Sequence, residues 1–171
     1  MGVTMHRFEF TPELETGNED VDSQHQTLFA MTNEILFSAE LEQDPEEFRR
    51  AVGLLFSYLE YHFASEELAM LELHYGSRRF HAAFHDHVRR QAKEIAKGMG
   101  RKESFDEIRS AIFFMLEDYV VYHVPGADRQ LATFMREQTP SERKPRLPEV
   151  HPRSASGLTP RPVSVDAAGH A

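Results

Sequence analysis

Apolar residues recur along most of this chain in steps of three and four, the spacing of a helix that turns one face to a core. The first stripe runs Val21, His25, Leu28, Thr32, Ile35, Ala39. The second is Phe48, Val52, Leu55, Leu59, His62, Glu66, Met70, Leu73. The third is His81, Phe84 with His85, Val88, Ala92, Ile95, Met99, and the fourth Phe105, Ile108, Ile112, Met115, Tyr119, His123, then Leu131 and Phe134. No two-residue alternation competes with these stripes, so the expected fold class is all-α.

The breaks between stripes are short. Asp44-Pro45 places an N-cap before a proline in the first turn, with Glu46 and Glu47 at the helix's positive end. Gly76-Ser77 separates the second and third stripes. Gly98 and Gly100 close the third, and Ser104-x-x-Glu107 is a capping box that opens the fourth. Connections this short make neighbours antiparallel and predict an up-down-up-down four-helix bundle. That domain is expected to span 1–138, with 1–20 as an N-terminal arm packed on it through Phe8, Phe10 and Leu14. From Thr139 the period stops and six of the nine prolines gather, so 139–171 reads as a Pro-rich disordered tail. Docking of that tail on a protein partner is the secondary expectation.

Composition narrows the function classes. A length of 171 residues suits one domain with a real core. The net charge of −9 argues against a nucleic-acid partner, because no basic face would neutralise phosphates. The absence of cysteine removes disulfides, thiolate ligands, iron–sulfur clusters and Cys nucleophiles together. No window approaches the ~18 apolar residues of a membrane span, and Met1 to Phe10 has no apolar run of a secretory signal. A cytoplasmic protein is the expectation.

Seven polar residues are then out of place. His25, His62, Glu66, His81, His85, His123 and Asp128 are expected on the core side of their helices. An unpaired buried carboxylate costs several kcal/mol or protonates, and a buried imidazole needs a partner for each nitrogen. A lone core histidine is usually a satisfied one. Here that explanation would have to hold seven times on four helices. The pairs His62-x₃-Glu66 and His81-x₃-His85 each project from one helix face. His123 and Asp128 stand about 140° apart on an ideal helix, but Pro125 between them should kink or widen it, with Gly126 easing the distortion. Imidazole suits iron, zinc, copper or nickel. Seven ligands exceed one tetrahedral zinc and are natural for two ions sharing two carboxylates. A histidine-rich set also favours reversible chemistry over deep oxidation, since neutral ligands stabilise oxidised ions less.

These residues resemble the hemerythrins, and specifically the bacterial hemerythrins, whose pattern is H…HxxxE…HxxxH…HxxxxD. The lead-in Phe10, Leu14, Gly17, Val21-Asp22, Gln24-His25 and the segment His62-Phe63 to Glu66-Glu67 resemble the family's flanking motifs, and the likeness covers about residues 8 to 136. Phe10 stands where the family usually shows Trp, and Pro125 lies between the last two ligands. The resemblance implies that His81, His85 and His123 hold one iron and His25 and His62 the other. Glu66 and Asp128 would bridge them with an oxo or hydroxo group. It further implies reversible dioxygen binding as hydroperoxide at the two-histidine iron, for storage, delivery or sensing, rather than an enzyme. A di-iron enzyme handling peroxide or nitric oxide, or a redox-sensing interaction module, is the alternative. Val120, Val124 and Phe29 are expected around the open iron. Tyr58, Tyr61, Tyr119 and Tyr122 are read as packing rings first, and as hydrogen-bond or redox groups second.

Overall fold

The computed structural model describes residues 5–38, 41, 43–101, 104–138 and 146–148. Long helices α1 (Glu19–Phe37), α2 (Pro45–Glu72) and α3 (Arg78–Gly100) are followed by a composite fourth rod. That rod consists of α4 (Phe105–Asp118), a ten-residue π-helical segment (Tyr119–Asp128) and α5 (Arg129–Gln138). No strand occurs among the described residues.

The helix starts follow their capping chemistry. Asn18 accepts from the backbone N–H groups of Asp20 and Val21, and Asp44 from those of Glu46 and Glu47. Ser104 and Glu107 complete a reciprocal capping box on α4. Cross-contacts set the directions. The rings of Phe48 and Phe105, each at a helix start, lie 4.7 Å apart. Arg109, early in α4, donates to the carbonyls of Ile35 and Ser38 at the end of α1 (2.9 and 3.2 Å). So α2 and α4 run together and α1 runs against them, as a closed antiparallel bundle requires.

The stripes face inward. Leu28, Ile35, Phe48, Leu55, Ile108, Ile112 and Met115 are fully buried in one core. The N-terminal arm lies on it: Phe8 packs against Phe29 and Phe113, and its backbone N–H and C=O both pair with the Asn33 side chain (2.9 and 2.8 Å). At the arm's end Asp22 accepts from Thr16 and Gly17, and Gly17 takes φ +83°, which a side chain would resist. Gly17 and Asp22 thus build the turn that leads into α1 ahead of His25.

A second small core of Val21, Ala69, Met70, Leu131 and Met135 closes the opposite end of the bundle. Leu147, one of the three Pro-rich-segment residues described, is buried in it, and its backbone N–H donates to Asp20 (3.0 Å). The rest of the expected tail lies outside the described residues. No described helix is long and apolar enough to cross a membrane.

Candidate metal centre

All seven expected residues are buried and converge between the two cores. His25 comes from the first half of α1, His62 and Glu66 from successive turns of α2, and His81 and His85 from the first turns of α3. His123 and Asp128 come from the π-helical segment. Proline 125 has no N–H and would collide with the carbonyl four residues back, so the regular ladder cannot continue through it. The chain widens to i→i+5 pairing instead, and the Arg129 N–H reaches the Val124 carbonyl. In that register residues five apart lie close to one face, and Asp128 turns inward beside His123.

The seven side chains form two overlapping groups that could each hold a cation. In the larger one, His123 Nε2 lies 3.1 Å from the Nε2 atoms of both His81 and His85. Glu66 Oε2 is 3.1 Å from His81 and 3.3 Å from His85, and Asp128 Oδ1 is 3.1 Å from His81 and 2.9 Å from His123. The smaller group is His25, His62 and Asp128, with Asp128 Oδ2 3.1 Å from His25 Nε2. Asp128 thus serves both groups with different oxygens. Glu66 joins the first through Oε2, which is 3.7 Å from His62 Nε2, while its Oε1 is buried with no hydrogen-bond partner.

Hydrogen bonding satisfies these contacts only in part: His81 Nε2 donates to Glu66 Oε2 (3.1 Å), while Glu66 Oε1 has no partner. His123 Nε2, 3.1 Å from the Nε2 atoms of both His81 and His85, cannot exchange a proton with both at once. Asp128 Oδ1 has no hydrogen bond despite two imidazoles within 3.1 Å. A cluster of imidazole nitrogens and carboxylate oxygens drawn this close fits a cation among them, and these donors suit first-row transition metals.

Electrostatics agree. Burial pushes His62 down to about 3, so it stands as a neutral imidazole with a free lone pair. Burial also disfavours a charged His81, but Asp128 and Glu66 outweigh it and raise its pKa to about 10. His85 is raised too, by Glu66 and Glu67 against its burial. Burial would raise the Asp128 carboxyl, yet His123, His25 and His81 hold it well below its ordinary value. Without a metal, protons stand in for the missing positive charge.

Neighbouring residues orient the imidazoles. His62 Nδ1 donates to Gln24 Oε1 (2.8 Å), and His85 Nδ1 donates to Glu67 Oε1 (3.0 Å), which leaves each Nε2 for the centre. Glu67 is held in turn by Arg89 (2.8 Å), itself paired with Glu60 (2.7 and 3.0 Å). Phe63 stacks on His85 at 4.0 Å and Phe84 on His123 at 4.3 Å. Phe29 and Val124 are buried and Val120 packs against the same core, while Phe10 lies 6.5 Å from the His25 ring. His6, His74 and His87 are exposed, away from this cluster. Glu67→Ala is expected to weaken metal affinity by ~10–100-fold by freeing the His85 tautomer. Competition with a coloured chelator measures this, and unchanged affinity would show that Phe63 stacking alone positions His85.

Tyr119 is expected first as a packing ring, whereas its phenol oxygen points into the smaller group (2.7 Å from His62 Nε2). Gln24 and Glu67 stood in the flanking motifs without a role; their partners come from other helices and appear only once α1 and α3 pack on α2.

Fold and site together define an α-helical bundle built around a buried, two-lobed cation-binding cluster. Residues 16–135 match the hemerythrin HHE cation binding domain, and the chain belongs to that family. It is 28% identical over 108 residues to a bacteriohemerythrin of Methylococcus capsulatus, a match covering 63% of this chain and 80% of that one. A bacteriohemerythrin of Aquifex aeolicus is 27% identical over 104 residues, covering 61% and 76%. No solved structure matched.

Proposed function

We propose that this protein is a non-haem di-iron protein that binds dioxygen reversibly. The observation that carries the reading is the unequal division of imidazoles around one shared carboxylate. Three histidines and Glu66 gather at one oxygen of Asp128, and only two histidines at the other. His81, His85 and His123 would hold one ion, His25 and His62 the second, with Asp128 and Glu66 between them. Two iron ions so held would supply reversible two-electron exchange with dioxygen. The chain's own contribution is to turn the Nε2 atoms of His62 and His85 to the centre, through Gln24 and Glu67, and to keep water out with Phe63, Phe84, Phe29 and Val124. A buried phenol beside the cluster favours one second reading, an enzyme acting on peroxide or nitric oxide, because an aromatic ring in reach of the centre can donate an electron.

Anaerobic loading with ferrous iron, metal analysis and visible spectra on adding and removing oxygen test the proposal. Two irons per chain and an absorption that rises with oxygen and falls on its removal are expected. Irreversible conversion to a ferric form that turns over peroxide or nitric oxide would favour the enzyme. Fewer than two irons would end the di-iron reading.

A further inference from the structure

All seven cluster residues are buried, so a metal ion enters or leaves only when part of the bundle opens. The two ends of the bundle are unequal. On one side of the cluster lies the main core, filled by large side chains of every helix, such as Leu28, Phe48, Val88 and Ile112. On the other lies the small core of Val21, Ala69, Met70, Leu131 and Met135, whose sixth buried member among the described residues is Leu147. Val21 stands one turn from His25, Met70 one turn from Glu66, and Leu131 one turn from Asp128. Leu147 therefore helps to close the end next to a cluster residue on each of α1, α2 and the fourth rod.

Leu147 is held differently from the other five. They belong to helices, whereas it belongs to the described stretch Arg146 to Pro148, outside any helix. Pro148 biases the residue before it towards extended backbone, which suits a strap laid across a bundle end. The Leu147 backbone N–H donates to Asp20 Oδ2 (3.0 Å), and the Arg146 guanidinium pairs with Oδ1 of the same carboxylate (3.3 Å). Arg146 is mostly exposed, so that ion pair adds little, and the buried leucine is the main anchor. Lifting this stretch breaks no hydrogen bond within a helix. Opening the main core would separate four packed helices. Local openings follow the route that uncovers least apolar surface, and here that route begins at Leu147.

We propose that residues 146–148 form a latch, whose docking on the small core sets the rate at which metal enters and leaves the buried cluster. The inference rests on the metal-holding part of the reading above, and on neither iron nor dioxygen. With the latch down, α1, α2 and the fourth rod are held together beside His25, Glu66 and Asp128. With it lifted, water and competing ligands gain the small core. Such a latch acts on loading and loss alike, so it moves rates more than the number of ions bound.

The test uses the full chain loaded with cobalt(II), a divalent probe that accepts imidazole and carboxylate donors. Cobalt content is measured first, and transfer to excess chelator is then followed for the wild type, Leu147→Asp and Leu71→Asp. The last places the same charge on an exposed leucine near the same end of α2. Leu147→Asp should bind as many ions as the wild type, with unchanged helicity, and lose them at least about tenfold faster. Leu71→Asp should release at the wild-type rate. Urea well below the unfolding transition should barely change the release rate of the wild type, because a local opening exposes little surface. If Leu147→Asp folds poorly, Leu147→Ala carries the same comparison with a smaller acceleration. Release from the Leu147 variant no faster than from the wild type or Leu71→Asp would overturn the latch. So would a rate that climbs with urea as steeply as global unfolding, since Leu147 would then only support the fold. Both results leave the metal centre standing, whereas a wild-type chain that binds no cobalt would end the latch and the metal reading together.

Discussion

Asp128→Ala is expected to reduce metal uptake from two ions per chain to at most one. Asp128 is the residue common to the two groups, with Oδ1 beside His81 and His123 and Oδ2 beside His25. Its removal leaves the smaller group two imidazoles, but leaves the larger group three imidazoles and Glu66. Affinity at the smaller group should fall by more than the ~10–100-fold that follows from changing groups which only orient a ligand. The metal-free fold should suffer as well. His81 loses one of the two carboxylates that stabilise its proton, and breaking a fully buried ion pair from one side costs about 3–5 kcal/mol. Elemental analysis of the loaded protein and urea unfolding of the metal-free protein read the two effects separately. Val121→Ala, at an exposed position of the same segment, serves as the control and should change neither. Two ions retained by Asp128→Ala would mean that Glu66 alone joins the groups.

The bundle was legible in the sequence because its signals are local. Steps of three and four, a capping box at Ser104 and the Asp44-Pro45 start depend on neighbours within a turn or two, and the helices form where those signals lie. The widening around Pro125 was legible for the same reason, since a missing N–H disturbs its own helix wherever the helix packs. The seven polar residues were conspicuous because each violated its stripe. Tyr119 violated nothing: its ring fills a core position as a phenylalanine would, and only the hydroxyl at the far end carries the information. Where that hydroxyl points depends on α1 and α2 bringing His25 and His62 to it. Gln24 and Glu67 illustrate the same limit. Each is adjacent in sequence to an expected ligand, yet Gln24 serves His62 of α2 and Glu67 serves His85 of α3. The burial of Leu147 had no periodic signal to announce it, because a single apolar residue among prolines has no period.

Metal uptake at neutral pH is expected to expel at least one proton, and the metal-free chain to be most stable near neutrality. Two buried histidines produce this in opposite directions. His81 has a native pKa raised from 6.5 to about 10, so the stability it contributes is fully present below pH 6.5 and is lost as pH rises through about 10. His62 is lowered from 6.5 to about 3, so the native state resists a proton that the unfolded chain accepts; stability therefore falls as pH drops below 6.5 towards 3. The carboxylates steepen the acid limb, since Glu66 and Asp128 are both held below their ordinary values and lose that contribution on protonation. Each limb amounts to a few kcal/mol. A metal requires the His81 lone pair, so binding must displace the proton that His81 carries at pH 7, and affinity should rise about tenfold per pH unit per proton released until about pH 10. Calorimetric titration with a divalent metal in buffers of different ionisation enthalpy counts the protons, and unfolding of the metal-free chain from pH 4 to 10 traces the dome. Uptake without proton release would show that His81 is neutral before the metal arrives, and that its closeness to Glu66 and Asp128 at 3.1 Å is not an ion pair.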